Sequence, residues 1–148
     1  MTPLEEAIGH TFSDRTLLAR ALTRLAYAHE QGLPGDCHMD ALAVLGDAAI
    51  ELAVILEIVE AGWSDKGVIT KKKISLVNML RLRTAAESLD LVQYVRWGKG
   101  EEAQEIWQSG RVLAECFEAL IGALYLDCGM AAVKTLLISS GFAVITKD

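Results

Sequence analysis

With 148 residues, 52% of them hydrophobic, two prolines and few aromatics, the chain is sized for one well-buried domain and excludes a disordered or fibrous protein. The net charge of −6 argues against a broadly basic nucleic-acid-binding surface, although Lys71, Lys72, Lys73, Arg81 and Arg83 cluster locally. Three cysteines, Cys37, Cys116 and Cys128, are odd in number and lack CxxC spacing, which excludes a disulfide framework and a zinc ribbon.

Cys37 beside His38 reads either as half of a metal site or, with the other two, as a reduced intracellular thiol. No apolar run approaches the ~20 residues that span a bilayer. The N-terminus MTPLEEAIGH lacks the basic start and apolar core of a secretory signal, so a cytoplasmic location is the default.

In chain order, Thr2-Pro3-Leu4-Glu5 has the pattern of a capping box and opens a short helix to about Ile8, ended by Gly9 and His10. Ser13 or Asp14 caps the next helix, in which Leu17, Leu18, Ala21, Leu22 and Leu25 recur with helical period. Glu30 to Cys37, with two Gly and one Pro, is the clearest loop. It leads to a central helix from about Met39 to Glu60, stopped by Gly62.

After a loop from Trp63 to Gly67, helix resumes at Ile69 through ITKKKISLVNMLRLRTAAESL, with Ile74, Val77, Leu80 and Leu82 predicted to face inward. Leu91 to Trp97 and the turn Gly98-Lys99-Gly100 lead to Glu101 and Glu102, the glycines serving a tight connection at positive φ. A second long helix runs from about Arg111 to Asp127 with Gly129 as its C′ residue, and an amphipathic helix from Met130 to about Ser139 follows. Gly141 to Asp148 is too short to assign and reads as either disordered or packed on a partner chain. The pattern predicts an all-α, single-domain protein without internal repeats.

The chemistry concentrates in HMDALAVLGDAAIEL, His38 to Leu52. Asp40, Ala43, Asp47 and Glu51 fall at i, i+3, i+7 and i+11, placing three carboxylates on one helix face, with Leu42, Leu45, Ala49 and Leu52 forming an apolar stripe opposite. A carboxylate in so apolar a helix is costly unless it is paired or bound to a cation. In Leu113 to Asp127, Glu115 and Glu118 stand i, i+3 on another apolar helix. If the two helices pack side by side, Asp47 and Glu118 converge on one divalent cation, because hard cations take carboxylate oxygens.

VLGDAAIEL, ISLVN, WGKGEE and FEALIGALYLD, in that order, resemble the catalytic domain of the ribonuclease III family from about Leu4 to about Leu137. The resemblance implies the helical endonuclease fold of that family, with two helices of one type meeting near the LVN element. It also implies a Mg²⁺-dependent endoribonuclease (Mn²⁺ as substitute) acting on double-stranded or structured RNA such as a ribosomal RNA precursor, and a homodimer that cuts both strands. Such duplexes are recognised by shape, phosphates and 2′-hydroxyls.

In the family's larger members the signature reads N-E-R-L-E-F-L-G-D and, later, D-A-L-E-A. On that pattern Asp47 and Glu118 match catalytic metal ligands, Glu115 stands where the family has Asp and is a third candidate ligand, and Asp40 stands at the first Glu, in a substrate-side or surface role. Ala43 occupies the position of the second Glu, also a family metal ligand, and cannot coordinate a cation.

Two readings follow from Ala43. One is a catalytically inactive duplex-RNA-binding or ribosome-associated member of the family. The other is an enzyme working with fewer ligands, since ALAVLGDA and FEALIGALYL resemble the short Mini-III branch, which has no separate double-stranded RNA-binding domain. The basic cluster at Lys71, Lys72, Lys73, Arg81 and Arg83 reads as RNA-binding or as a solvated face. Glu51 reads as structural, and His10, His29 and His38 as exposed or capping. Val44 stands where the family often has a Phe that packs into the partner subunit, which implies a weaker or differently closed twofold interface.

Overall fold

The computed structural model describes residues 1–142, and these form a helical domain. Helix α1 (Pro3–Ile8) starts at the predicted capping box. Thr2 Oγ1 accepts from the Glu5 amide at 3.2 Å, and Glu5 Oε1 accepts from the Thr2 amide at 3.1 Å. Asp14 caps α2 (Arg15–Ala21) through the Thr16 amide.

The predicted continuation of α2 to Leu25 does not occur. Leu22 to Arg24 run extended enough for Thr23 to bridge Arg96, with the Arg96 amide donating to Leu22 O at 2.7 Å and the Arg24 amide to Arg96 O at 3.2 Å. A separate helix α3 (Leu25–Glu30) follows. The apolar period runs on through this break, although Leu25 is only half-buried and Ala28 is the buried residue of α3.

Helix α4 (Asp40–Glu60) matches the predicted central helix to within a residue. Leu42, Ala49, Ile50, Ala53, Val54 and Ile58 are buried, but Leu52, assigned to the apolar stripe, is 52% exposed. Helix α5 (Lys66–Leu76) begins earlier than predicted, because Asp65 accepts from the Val68 amide and caps it. The chain then breaks at Val77 and Asn78, where the Asn78 side chain caps α6 (Met79–Ser88). That junction lies where the LVN element implied it.

The break resets the helical phase, so Ile74 (56% exposed) and Leu80 (72% exposed) do not share the inward face of buried Leu82. Val77 is half-buried, and α5 has no buried residue. The GKGEE run is also not a positive-φ turn. Gly98 has φ −66° and caps the helix α7 (Lys99–Ala103), which contains Gly100. Gly98 is required by close approach, since a Cβ there would lie 2.7 Å from Ala26 Cβ.

Helix α8 (Gly110–Cys128) is the axis of the core, with Phe117, Ala119, Leu120, Ile121, Ala123 and Leu124 all buried. Gly129, at φ 87°, ends it, and α9 (Met130–Ser139) packs against both α8 and α4. Phe142 is buried and stacks on Phe117 with ring centroids 6.1 Å apart, so the start of the C-terminal segment packs on its own chain. Residues 143–148, the rest of that segment, lie outside the described residues. No helix among the described residues is long and apolar enough to cross a membrane.

Candidate active site

The site is made by the crossing of α4 and α8, the most extensive helix pair in the molecule. Two glycines face each other there. A Cβ on Gly46 would lie 1.7 Å from Glu118 O, and a Cβ on Gly122 would lie 2.1 Å from Leu42 O. Only glycine lets the backbones approach this closely, and the residues beside these glycines are Asp47 on α4 and, one turn before Gly122, Glu118 on α8. Each large apolar side chain buried along α8 contributes roughly 1.5–3 kcal/mol, so one unfavourable carboxylate contact does not pull the crossing apart.

Asp47 and Glu118 are thereby brought to one cleft, near enough for the Asp47 carboxylate to act on the Glu118 carboxyl. Burial first, then the Asp47 contact and the nearby charges of Glu115 and Glu51, push the Glu118 carboxyl up to about 8. Asp40, Ala43, Val44, Asp47, Glu115 and Glu118 line one open cleft of about 440 Å³. On the other flank of the pair, a hollow of about 260 Å³ is lined by Glu51, Asn78, Met79 and Arg111 together with Asp47 and Glu118.

All four acidic candidates from the sequence, Asp40, Asp47, Glu115 and Glu118, therefore reach the same cleft. They do not converge equally. Glu115 Oε1 lies 3.5 Å from Arg24 Nη1, and Asp40 Oδ1 lies 3.8 Å from His38 Nδ1. Among the described residues no group of three His, Cys, Asp or Glu side chains is close enough to hold a metal ion as a ready-made set. The chemistry of the pair nonetheless fits a hard divalent cation. The two carboxyls stand in a cleft ringed by further acids, and a cation there would relieve their mutual repulsion. Ala43, 8% exposed at the cleft wall, leaves its side open.

Glu51, read as structural, lies 3.5 Å from Lys73 Nζ and also adds to the negative field on Glu118. The basic cluster is dispersed rather than convergent. Lys71 and Arg81 are exposed, the latter donating to Gly141 O. Lys72 sits 4.1 Å from the Trp63 ring centroid, and Arg83 pairs with Glu87 at 3.1 Å. His29 is exposed and His38 accepts from the Asp40 amide, as read. His10 instead bonds Asp127 at 2.8 Å, tying the first loop to the end of α8. Cys116 is buried, which pushes its thiol up to about 12, and Cys37 and Cys128 stand apart from it as free thiols.

Two residues escaped the sequence reading. Arg24, 12% exposed, donates from Nε and Nη2 to Glu101 Oε2 at 3.1 and 2.9 Å while facing Glu115. Glu101 stands in the GKGEE run, just after the predicted turn, and nothing there gives it a role. Nothing in the pattern marks Arg24, an isolated charge between two apolar helices. Arg111, at the start of α8, was also unmarked, and it makes no ion pair among the described residues.

A family model for ribonuclease-III-like domains matches residues 14–143. A protein named Ribonuclease 3 from Nitratidesulfovibrio vulgaris is 39% identical over 132 residues, covering 88% of this chain and 52% of that protein. One of the same name from Bdellovibrio bacteriovorus is 37% identical over 135 residues, covering 90% and 57%. The chain thus spans little more than half the length of these curated relatives. A solved nuclease domain of ribonuclease III from Campylobacter jejuni, described as showing structural flexibility in a region involved in dimer formation, superposes with a TM-score of 0.83. It is 27% identical, and 93% of each chain is covered.

Proposed function

This chain belongs to the ribonuclease-III-like family, and we propose on that footing that it is an endoribonuclease hydrolysing phosphodiester bonds in double-stranded or structured RNA. The observation that carries the reading is the cleft that Asp47 and Glu118 share with Glu115 and Asp40, at a helix crossing that two glycines bring to backbone distance. Asp47 and Glu118 are the residues that would hold a divalent cation, Mg²⁺ or Mn²⁺, and Glu115 is the third candidate. When bound, such a cation neutralises phosphate charge and activates water for attack.

The chain's own groups have distinct tasks. Asp47 and Glu118 set the position of the reacting phosphate by fixing where positive charge resides between α4 and α8. A cation bound there would displace any proton that Glu118 holds. Arg111 lines the hollow beside the pair, where its guanidinium offers donors to the phosphates flanking the cut. Asp40, at the outer edge of the cleft, faces the substrate side. Exposed Lys71 and Arg81 are candidates for backbone contacts further along the duplex, with Lys72, Lys73 and Arg83 requiring release from their internal contacts.

A second copy would let one duplex lie across two clefts. Val44, 75% exposed at the cleft wall, and Leu80, 72% exposed, are large apolar groups that a homodimer would cover. We assign the protein to RNA processing in the cytoplasm, with a ribosomal RNA precursor as a candidate substrate.

One observation favours a second reading. Ala43 removes a carboxylate, and no ready three-ligand group exists among the described residues, as a catalytically silent duplex-RNA-binding or ribosome-associated protein would have it. Incubating the protein with long RNA duplex, single-stranded RNA and DNA duplex, each with Mg²⁺ or with chelator, separates the two. Cleavage confined to duplex RNA with Mg²⁺ supports the enzyme, whereas retarded migration of duplex RNA without any cut supports the silent binder.

A further inference from the structure

We propose that Arg24, anchored by Glu101, is a positioning residue that sets how Glu115 presents its carboxylate to the cation-binding pair Asp47 and Glu118. The inference rests on the proposed metal-dependent reading of the cleft.

The guanidinium is fixed on several sides by different parts of the fold. From α7, Glu101 Oε2 takes two donors at 2.9 and 3.1 Å, and Glu101 Oε1 meanwhile accepts from the Gly98 amide at 3.1 Å, so the anchor is itself held. At the start of α4, Met39 Sδ lies 3.7 Å from Nη1. The Trp97 ring centroid lies 5.7 Å from the guanidinium carbon, a cation–π distance. Arg24 and Glu101 side chains are only 12% and 14% exposed. The remaining donor, Nη1, faces Glu115 Oε1 at 3.5 Å, too long for a firm hydrogen bond and short enough for strong attraction.

A pair needed only to join α3 to α7 would be complete with Glu101. The outward nitrogen reaches Glu115, which lines the cleft one turn before Glu118. Among the described residues Glu115 has no other hydrogen-bond or ion-pair partner, so Arg24 alone draws one of its oxygens and leaves the other for a ligand. With Ala43 contributing nothing to the cleft, the reach of Glu115 decides whether a cation on Asp47 and Glu118 gains a third protein oxygen. A planar fork holding a carboxylate at a fixed height is the task for which arginine differs from lysine.

The test is Mn²⁺ binding to the RNA-free protein, measured by calorimetry for the wild type, Arg24→Gln, Glu115→Gln and the double variant. Loss of a group that orients a metal ligand weakens binding roughly tenfold. Each single variant is expected to lose about that much, and the double variant no more than either, because Arg24 acts through Glu115. Arg24→Lys should restore less than half of the loss on a logarithmic scale. If Arg24→Gln lowers the thermal midpoint so far that binding is lost with the fold, Glu101→Gln reads the same linkage from its anchor, and it should weaken Mn²⁺ in the wild type but not in Glu115→Gln. Unchanged or tighter binding in the Arg24 or Glu101 variants, or additive loss in the double variant, overturns the inference while the enzyme reading stands if the wild type still binds Mn²⁺ and cuts duplex RNA. A wild type that neither binds Mn²⁺ nor cuts overturns both.

Discussion

Glu5 and Glu118 are both acidic side chains set into apolar helices, and their surroundings drive them in opposite directions. Glu5 is fully buried, yet it receives the Thr2 and Phe12 amides and Arg15 Nη1 at 2.6 Å, and these donors, Arg15 foremost, hold its carboxyl down at about 2. Glu118 is less buried, but its neighbours are Asp47, Glu115 and Glu51, and its carboxyl is pushed up to about 8. The first is a finished structural contact that knits the N-terminal helix to α2. Among the described residues the second makes no ion pair, and a protein keeps such a group where a ligand is to supply the charge. Burial alone therefore does not distinguish a structural carboxylate from a functional one; the sign of its neighbours does.

The largest effect should come from Glu118→Gln. It removes a ligand and a charge but keeps the shape, so duplex-RNA cleavage should fall below detection while far-ultraviolet circular dichroism stays unchanged. The metal-free variant should also melt higher than the wild type above pH 8. A folded-state value raised above the usual carboxylate range means that the stability Glu118 contributes is full at low pH and is lost as pH rises through about 8, a loss the amide escapes. Cleavage by Glu118→Gln would dissolve the contrast with Glu5.

Gly46→Ala comes next. Its Cβ would meet backbone rather than a movable side chain, so α4 and α8 must separate, at a cost of about 3 kcal/mol or more by chemical denaturation. The carboxyl pair should part with them, and Mn²⁺ affinity should fall along with stability. A Gly46→Ala protein of wild-type stability would show that the crossing is looser than these distances require.

On the structural side of the comparison, Arg15→Ala leaves the Glu5 carboxylate buried with only backbone donors. Because Arg15 is 54% exposed, the cost is discounted to roughly 1–3 kcal/mol. The Glu5 contribution is present above the usual carboxylate range and lost as pH falls through about 2, so the wild type and Arg15→Ala should converge in stability in strong acid. Cleavage should be untouched. The smallest effect is on pH dependence of binding. Since the Glu118 proton must leave, Mn²⁺ affinity should rise up to about tenfold per pH unit below about 8 and level off above it, and a flat profile would place the cation elsewhere.

Much of this was legible in the residues. The carboxylates at 40, 47, 115 and 118 were readable because helical period places like groups on one face, and the capping box at Thr2 because its signature is local. Asp47 in LGD pointed to the crossing, but Gly46 and Gly122 did not, since a glycine inside an apolar helix has the same local pattern whether or not another backbone lies against it. The break at Leu22–Arg24 was hidden because the apolar period survives it, and the outward turn of Ile74 and Leu80 because Asn78 restarts the helix in a new phase. Arg24 and Glu101 were beyond reach of periodicity: they are 77 residues apart and meet only because Leu22 and Arg24 bond the backbone of Arg96.

The most direct test of the central claim is Mg²⁺-dependent cleavage of a long RNA duplex by the wild type beside Asp47→Asn. Cutting by the wild type and none by Asp47→Asn, with both folded, is the predicted result. Equal cutting by the two would contradict the site, and no cutting by either across metal and salt titrations would contradict the enzyme and leave Ala43 as the mark of a silent RNA-binding protein.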